Sequence, residues 1–406
     1  MNFSTKKCVF LLFNEISSTW KRCNRTMAVD FVRSIDLPKN TAYETVKTFH
    51  KKKLDILEDR LEKMEKTREK THTMLLERIT PRLNQLRERI CNKNSELMIV
   101  GSIATGLTID STSDVDLCFV PVKKESLEYL NGFKNNMDFR RIFTQTMINL
   151  VTQDKNLWDM KKDKVYSIVN ARIPLLKFNF HDGVKFDIQF FIDHTLRNTN
   201  LLRHYAMVDS RFRKLNCYVK LLANALRIKD SLKGLLSSYQ ISLLVAHFLQ
   251  SYHNKPSILP IIPQVYSSTV SKNLPLNEVM ENLKNPIDLS KVSGLINNNI
   301  SASELVVQFI DYYANFDFTA NAIYLDKSHP VRRIQVGINY KLQIFDPYSD
   351  YSISRGIYTV EAFSLAMKYV QNSMKDGRYI SDFPNFKHSR EFLHQIKEKE
   401  WFVTKL

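Results

Sequence analysis

The stretch GSIATGLTIDSTSDVDLCFV, from Gly101 to Val120, decides the fold of this 406-residue chain. Asp114 and Asp116 are two positions apart and lead into an apolar run, and side chains at i and i+2 of a strand project from one face. The Gly-Ser turn at Gly101 and Ser102 precedes them, and glycine lets a backbone approach a phosphate chain closely. Close carboxylates repel each other unless a cation lies between them, and hard divalent cations prefer carboxylate and phosphate oxygens. The stretch therefore predicts a site for metal ions and a triphosphate.

A third carboxylate is expected on a neighbouring strand. Asp187 lies in VKFDIQFF, residues 184–191, where apolar and polar residues alternate as in a half-buried strand. An Asp-Gly turn at Asp182 separates this segment from a second alternating run, residues 173–180, which predicts a hairpin. An Asp-x-Asp pair alone is usually a solvated loop or a helix cap, but a charged residue inside a strand is costly without a partner. The combination favours a metal site formed by three aspartates.

The residues resemble a known superfamily. Gly101-Ser102, Ser113 to Leu117 and Asp187 together resemble the signature of the DNA polymerase beta nucleotidyltransferases. Within that superfamily, the chain is similar to the cytoplasmic poly(A) polymerases and terminal uridylyltransferases, which extend RNA 3′ ends. The similarity runs from about Glu96 to about Met374, and its further segments are NTNLLRHY (198–205), LSSYQISLLVAHFLQ (236–250), KPSILPIIPQ (255–264), ELVVQFIDYYANFDF (304–318) and FDPYSDYSISRGI (345–357).

The resemblance implies an α+β fold. We expect a polymerase-beta-like nucleotidyltransferase domain, a mixed sheet with helices, followed by a mainly helical domain that contains the poly(A)-polymerase-associated region. The predicted parts are a basic, flexible tail (1–40), a charged amphipathic helical region (41–92), the catalytic domain (93–195), the helical central domain (196–380) and a C-terminal tail (381–406).

The resemblance also implies a nucleotide site. Ser102 and the backbone amides at Gly101 would hold the triphosphate. Lys220 and Ser238 match phosphate-binding positions, and Tyr239 matches the aromatic residue on which the base stacks. For the polar positions, helix capping or an ordinary surface role is the alternative.

Asn198 matches the asparagine that contacts the ribose hydroxyls and favours ribonucleotides, and Thr199 lies beside it. One turn after Lys220, related enzymes commonly carry a second lysine, but this chain has Asn224, which weakens the expected grip on the phosphates. Many uridylyltransferases carry a histidine shortly after the turn that matches Asp346-Pro347-Tyr348. This chain has none there, so ATP is the first expectation, and UTP or mixed incorporation stays open.

The implied reaction is the addition of ribonucleotides to an RNA 3′ end without a template. Two Mg²⁺ or Mn²⁺ ions would bind at Asp114, Asp116 and Asp187, with Asp187 near the attacking 3′ hydroxyl. The competing classes are a small-molecule nucleotidyltransferase, a catalytically inactive RNA-processing scaffold and a pure RNA-binding module. Because no RRM, KH or zinc-knuckle signature is present, we expect an RNA-binding protein partner to help bring the substrate.

Composition agrees with an RNA substrate. The formal net charge of +17 favours a polyanionic partner, RNA or an acidic membrane face. The apolar stretch Cys8 to Phe13 is too short to span a bilayer, so no membrane association is expected. Five scattered cysteines without CxxC spacing indicate reduced thiols. A cytoplasmic location follows, with nuclear or organellar targeting left open by the basic first 27 residues.

Two further segments have helical or loop character. Apolar residues recur at three- and four-residue steps over residues 41–92, which predicts amphipathic helix packed on the core. A docking surface for an RNA-binding partner or for RNA is the alternative for this region. Pro81 is expected to start a new helix or bend this one. Residues 274–299, rich in Asn and Lys, are expected to form an exposed insertion.

Overall fold

The protein is described by a computed structural model, covering residues 41–110, 114–121, 125–153, 165–170, 174–190, 193–251, 257–296, 298–333, 342–354 and 356–384. The predicted tail 1–40, residues 154–164 and the residues from 385 onwards lie outside the described residues. The elements up to the end of the sheet are α1 (Ala42–Phe49), α2 (Lys51–Ile90), β1 (Ser95–Ile99), α3 (Gly101–Ala104), β2 (Val115–Pro121), α4 (Glu125–Asn135), α5 (Met137–Thr152), β3 (Tyr166–Ile168), β4 (Leu175–Asn179) and β5 (Lys185–Gln189).

The second half is mainly helical. Its elements are α6 (Asp193–Val208), α7 (Ser210–Ala225), a 3-10 turn (Ser231–Lys233), α8 (Ser238–Leu249), α9 (Ile262–Val265), α10 (Leu276–Lys284), a second 3-10 turn (Leu289–Val292), α11 (Ala302–Ala314), β6 (Asn321–Tyr324), β7 (Val331–Arg332), β8 (Ile344–Phe345) and α12 (Thr359–Lys375). The three short strands form a small sheet in the order β7-β6-β8. The predicted combination of a mixed sheet and a helical part is confirmed.

The five-stranded sheet has the order β1-β2-β5-β4-β3. β2 and β5 run parallel, and the other neighbouring strands are antiparallel. The predicted hairpin is β4-β5, and Gly183 in its turn has a φ of 89°, a backbone conformation that favours glycine. The alternating pattern buries Phe186 and Ile188 in one core and leaves Lys185, Asp187 and Gln189 on the opposite face. That opposite face carries the predicted site.

The long helix α2 belongs to both halves of the molecule. Leu54, Leu57 and Leu61 are buried in the core of the helical half, whereas Leu75 to Ile90 contribute to the core beneath the sheet. The helix runs for 40 residues without interruption, with Pro81 inside it. The expectation that Pro81 starts a new helix is therefore wrong, because burial of apolar residues on both sides of the proline favours one continuous helix.

The expectation of an exposed insertion at residues 274–299 is wrong for residues 274–284, whereas most of the described residues from 285 to 299 are exposed. Leu276–Lys284 form the helix α10, which packs against α6. Leu274, Val279 and Met280 are buried with Cys118 and Val120 of β2. The apolar face of α10 was missed because Asn and Lys are frequent around it in the sequence. This face packs on β2 beside the site.

Candidate active site

Asp116 and Asp187 lie side by side on the two parallel strands of the sheet. They are register partners of β2 and β5, so their side chains leave the same face of neighbouring strands. Burial raises the pKa of Asp116 to about 7, and the negative charges of Asp187 and Asp114 add to the rise. Burial also raises the pKa of Asp187, although its salt bridge with Lys177 opposes the shift. Carboxylates held where their charge is disfavoured are typical of functional sites.

Asp114 stands just before β2 and is more open to solvent. Its side chain is 42% exposed, compared with 13% for Asp187, and its Oδ1 lies 3.5 Å from Lys185 Nζ. Over the described ranges, no group of three or more His, Cys, Asp or Glu side chains forms a ready-made set of metal ligands. The three aspartates are nevertheless close enough for their charges to interact, and Lys177 and Lys185 are the cations beside them.

Gly101 supports Asp116 from the neighbouring turn. Its φ is 65°, and a Cβ placed there would lie 2.5 Å from Asp116 Oδ2. The Gly101 amide donates to Thr199 Oγ1 at 3.1 Å, and the Val100 amide donates to the Asp116 carbonyl at 2.9 Å. Only glycine fits this close approach, because any larger residue meets the carboxylate.

A cavity of about 600 Å³ opens between the sheet and the helices α6, α7 and α8. Every predicted site residue except Asp187 lines it, and Asp187 lies on the strand beside Asp116. The predicted residues in its wall are Gly101, Ser102, Asp114, Asp116, Asn198, Thr199, Lys220, Ser238 and Tyr239. Residues nearly 140 positions apart therefore meet in one concave site, as ligand sites in proteins commonly do.

Lys220 is the buried cation of this cavity. Its side chain sits on α7 and is 5% exposed. Burial lowers the pKa of Lys220 to about 8, and the positive charges of Lys229 and Arg68 act in the same direction. Within the described part of the chain, no ion pair to Lys220 is formed. An anion entering the cavity would stabilise its charged form.

Asn198 and Thr199 differ in their hydrogen bonding. Thr199 Oγ1 donates to the Thr195 carbonyl at 2.8 Å and accepts from Gly101, so Thr199 joins α6 to the turn. The Asn198 side-chain oxygen is buried and has no partner among the described residues. A buried amide without a partner is costly, which marks Asn198 as a candidate ligand contact.

Ser238 is not the N-cap of α8, so the alternative role of helix capping does not apply to it. Ser237 is the N-cap, and its capping box with Gln240 satisfies the first turn. The Ser238 hydroxyl is exposed in the cavity wall and is not needed for the cap. Beside it, Tyr239 OH donates to Asp346 Oδ2 at 3.2 Å, which fixes the ring in the wall.

Two residues of the site were missed from the sequence. Lys229 lines the cavity, whereas Asn224, at the expected place of a second lysine, is exposed and is not part of the wall. Gln189 also lines the cavity; it hydrogen-bonds to Asp116 and accepts from Thr195 Oγ1 at 2.9 Å. Gln189 could have been found from its spacing, because it shares the face of Asp187. Lys229 gave no such signal, since it follows a turn at Arg227 with a φ of 56°.

The mixed sheet, the paired aspartates and the adjoining cavity agree with the polymerase-beta-like nucleotidyltransferase fold that the sequence predicts. Residues 51–207 match the family described as "Poly(A) RNA polymerase, mitochondrial-like, central palm domain". Over these residues the chain is similar to the poly(A) RNA polymerase family.

Individual poly(A) RNA polymerases are similar to a larger share of the chain. Poly(A) RNA polymerase GLD2-B of Xenopus laevis is 29% identical over 276 residues, which are 67% of this chain and 50% of the relative. Poly(A) RNA polymerase gld-2 homolog B of Drosophila melanogaster is 30% identical over 239 residues, 58% of this chain and 16% of the relative. The chain thus spans half or less of these two relatives.

Solved structures show the same fold. A chain of the GLD-2/RNP-8 complex aligns with a TM-score of 0.62 and 22% identity, covering 80% of this chain and 93% of that one. The structure of mtPAP in complex with ATPgammaS aligns with a TM-score of 0.58 and 20% identity, covering 76% and 67%. In the described ranges, no helix is long and apolar enough to cross a membrane.

Proposed function

We propose that this protein is an RNA 3′-terminal nucleotidyltransferase that works without a template and favours AMP. The observation that carries the proposal is the pair Asp116 and Asp187, placed in register at the edge of a cavity whose far wall holds the buried Lys220. Its relatives are named poly(A) RNA polymerases, and the basic surplus of the chain suits a polyanionic substrate.

Divalent cations fit the carboxylates. Burial and mutual repulsion destabilise the charge of Asp116, so a cation shared with Asp187 and Asp114 would relieve the repulsion. These three residues would hold two Mg²⁺ or Mn²⁺ ions, which would activate the RNA 3′ hydroxyl and neutralise the departing pyrophosphate.

The remaining residues position the nucleotide. Lys220 supplies a positive charge to the phosphates, and Lys229 supplies a second one in place of the lysine missing at Asn224. Ser102 and Ser238 offer hydroxyl donors to phosphate oxygens. The unpartnered Asn198 oxygen accepts a ribose hydroxyl, and the Tyr239 ring stacks on the base.

The proposal includes a partner and a location. Relatives of this fold were solved as a GLD-2/RNP-8 complex and as a GLD-2/GLD-3 complex. We infer that an RNA-binding protein assists this chain as well, with the exposed face of α2 as one contact, and that it acts in the cytoplasm on RNA 3′ ends.

The test is an extension assay with purified protein, a labelled oligoribonucleotide, Mg²⁺ and each ribonucleoside triphosphate in turn. ATP is expected to be added most efficiently, and exclusive use of UTP would replace the adenylyl assignment by the uridylyl one. Asp187→Ala should lower extension at least about 100-fold, because it removes a carboxylate next to the attacking hydroxyl.

The matched control is Asp138→Ala, which removes an exposed aspartate on α5. It should extend RNA like the unchanged protein, and circular dichroism should show that both variants are folded. Undiminished extension by the Asp187 variant would reject the proposed mechanism.

A further inference from the structure

We propose that Tyr166, on the edge strand β3, is a stacking platform for a base of the RNA acceptor close to its 3′ end. The inference rests on the proposed function, since it concerns the second substrate of the same site. It assigns a binding role to a strand that is otherwise only the margin of the sheet.

Tyr166 shares a row of the sheet with the two aspartates. Tyr166 is the register partner of Lys177, Lys177 that of Asp187, and Asp187 that of Asp116. Register partners send their side chains to the same face, so Tyr166 stands on the face of the carboxylates. Two strand spacings of about 4.8 Å place it roughly 10 Å from Asp187.

The two substrates must approach Asp116 from different sides. The nucleotide cavity is lined by Asp114, Asp116 and Gln189 but not by Asp187. In an in-line displacement the attacking oxygen lies opposite the leaving group, so the acceptor hydroxyl belongs on the side away from the cavity. That side is occupied by Asp187, then Lys177, then Tyr166. A strand that places its 3′ hydroxyl at Asp187 therefore passes over Tyr166.

The surface there suits a nucleic-acid strand. Tyr166 is 50% exposed, and Ile168, two residues further along the same face, is 38% exposed. Lys177 lies between the ring and Asp187; its ammonium group donates one hydrogen bond to Asp187 and has further N–H donors that can meet a backbone phosphate. An exposed aromatic ring beside a lysine is the arrangement that binds single strands without base preference.

The experiment compares Tyr166→Ala, Tyr166→Phe and Phe49→Ala in the full chain. Phe49→Ala is the matched control, because it removes an exposed aromatic ring from α1 in the helical half. Fluorescence anisotropy with a labelled oligo(A) measures RNA binding without catalysis, and steady-state kinetics separate the KM for RNA from the KM for ATP.

Tyr166→Ala is expected to weaken oligo(A) binding and raise the KM for RNA at least about 5-fold while the KM for ATP stays unchanged. Tyr166→Phe, which keeps the ring, and Phe49→Ala should both bind within about 2-fold of the unchanged protein. Unaltered binding by the alanine variant, or an equal loss in the phenylalanine variant, would overturn the platform. Failure of the unchanged protein to add nucleotides would count against the proposed function, while the anisotropy comparison would still decide the role of Tyr166.

Discussion

Two regions of this molecule bury charged side chains: one leaves them without full compensation by opposite charges, and the other buries them in ion pairs. The proposed nucleotide cavity holds Asp116 and Lys220. Burial disfavours the charges of both, so it raises the pKa of Asp116 to about 7 and lowers that of Lys220 to about 8. The α2–α7 junction, formed by Glu65, Arg68 and Arg213, buries its charges in pairs. Glu65 accepts from Arg68 Nε at 2.8 Å and from Arg213 Nε at 2.5 Å.

The difference separates a functional site from a structural one. At the junction, burial alone would raise the pKa of Glu65, but the hydrogen bonds from Arg68 and Arg213 hold it below its ordinary value. Arg68 also donates to the Gly106 carbonyl, so the junction braces the turn that carries Gly101. In the cavity, the charges are left for ligands to neutralise. Stability and activity should therefore respond in opposite directions in the two regions.

Apart from loss of a catalytic carboxylate, the largest effect on activity is expected from Gly101→Ala. The new Cβ would lie 2.5 Å from Asp116 Oδ2 and would displace the carboxylate, and a displacement of about 1 Å lowers rates roughly 100-fold. The measurement is kcat for extension with saturating ATP and RNA.

Gly294→Ala is the matched control for this change. Gly294 also has a positive φ, 81°, but no atom lies within 4 Å of the Cβ that would be added. Both variants should lose about 1 kcal/mol of stability from backbone strain, and only the Gly101 variant should lose activity. Equal activity in the two variants would show that the close approach to Asp116 has no catalytic role.

A smaller effect on activity is expected from Lys220→Met, together with a gain in stability. The pKa of Lys220 falls from 10.5 to about 8 on folding, so the native state loses stability as the pH falls from about 10.5 to about 8 and loses no more below that. At pH 7 the buried ammonium costs at most about 3 kcal/mol, which methionine would recover. The KM for ATP should rise roughly 10-fold or more, because a charged contact to phosphate is lost.

Thermal unfolding with and without ATP and Mg²⁺ checks both halves of this prediction. The variant should melt at a higher temperature than the unchanged protein, with the difference shrinking between pH 8 and pH 10.5, and ATP should stabilise it less. Lys368→Met, at an exposed position of α12, should change neither quantity. A lower melting temperature for the Lys220 variant would contradict the assignment of an unpaired buried charge.

The three aspartates could be predicted from the sequence because they lie in local patterns. Their pairing across the sheet and the other residues of the cavity could not. Strand alternation and the Asp-Gly turn placed Asp187 on one face of a hairpin, and the two-residue spacing placed Asp114 with Asp116. The register that pairs Asp116 with Asp187 depends on the parallel alignment of β2 and β5, which cannot be predicted from either strand alone. Lys229 lies in the cavity wall because the chain turns at Arg227. The apolar face of α10 was not recognised because polar residues surround it in the sequence. These features depend on tertiary contacts.

The smallest effect on activity, and a large one on stability, is expected from Glu65→Gln. The change leaves Arg68 and Arg213 buried without a full negative partner, which should lower the free energy of unfolding by about 3 kcal/mol or more. Asp382→Asn is the control: Asp382 pairs with Arg60 of α2, and both side chains are more than half exposed, so the loss should stay below about 1 kcal/mol. The low pKa of Glu65 stabilises the fold above its ordinary value of 4.5, and this stabilisation is lost as the pH falls. Urea unfolding at pH 7 and in acid should therefore show a smaller difference in stability between the unchanged protein and the Glu65 variant in acid.

RNA extension at temperatures well below unfolding should stay within a few-fold of normal, because the junction braces the Gly101 turn without touching either substrate. A Glu65 variant as stable as the Asp382 control would mean that the paired charges of the junction contribute no more than those on the surface.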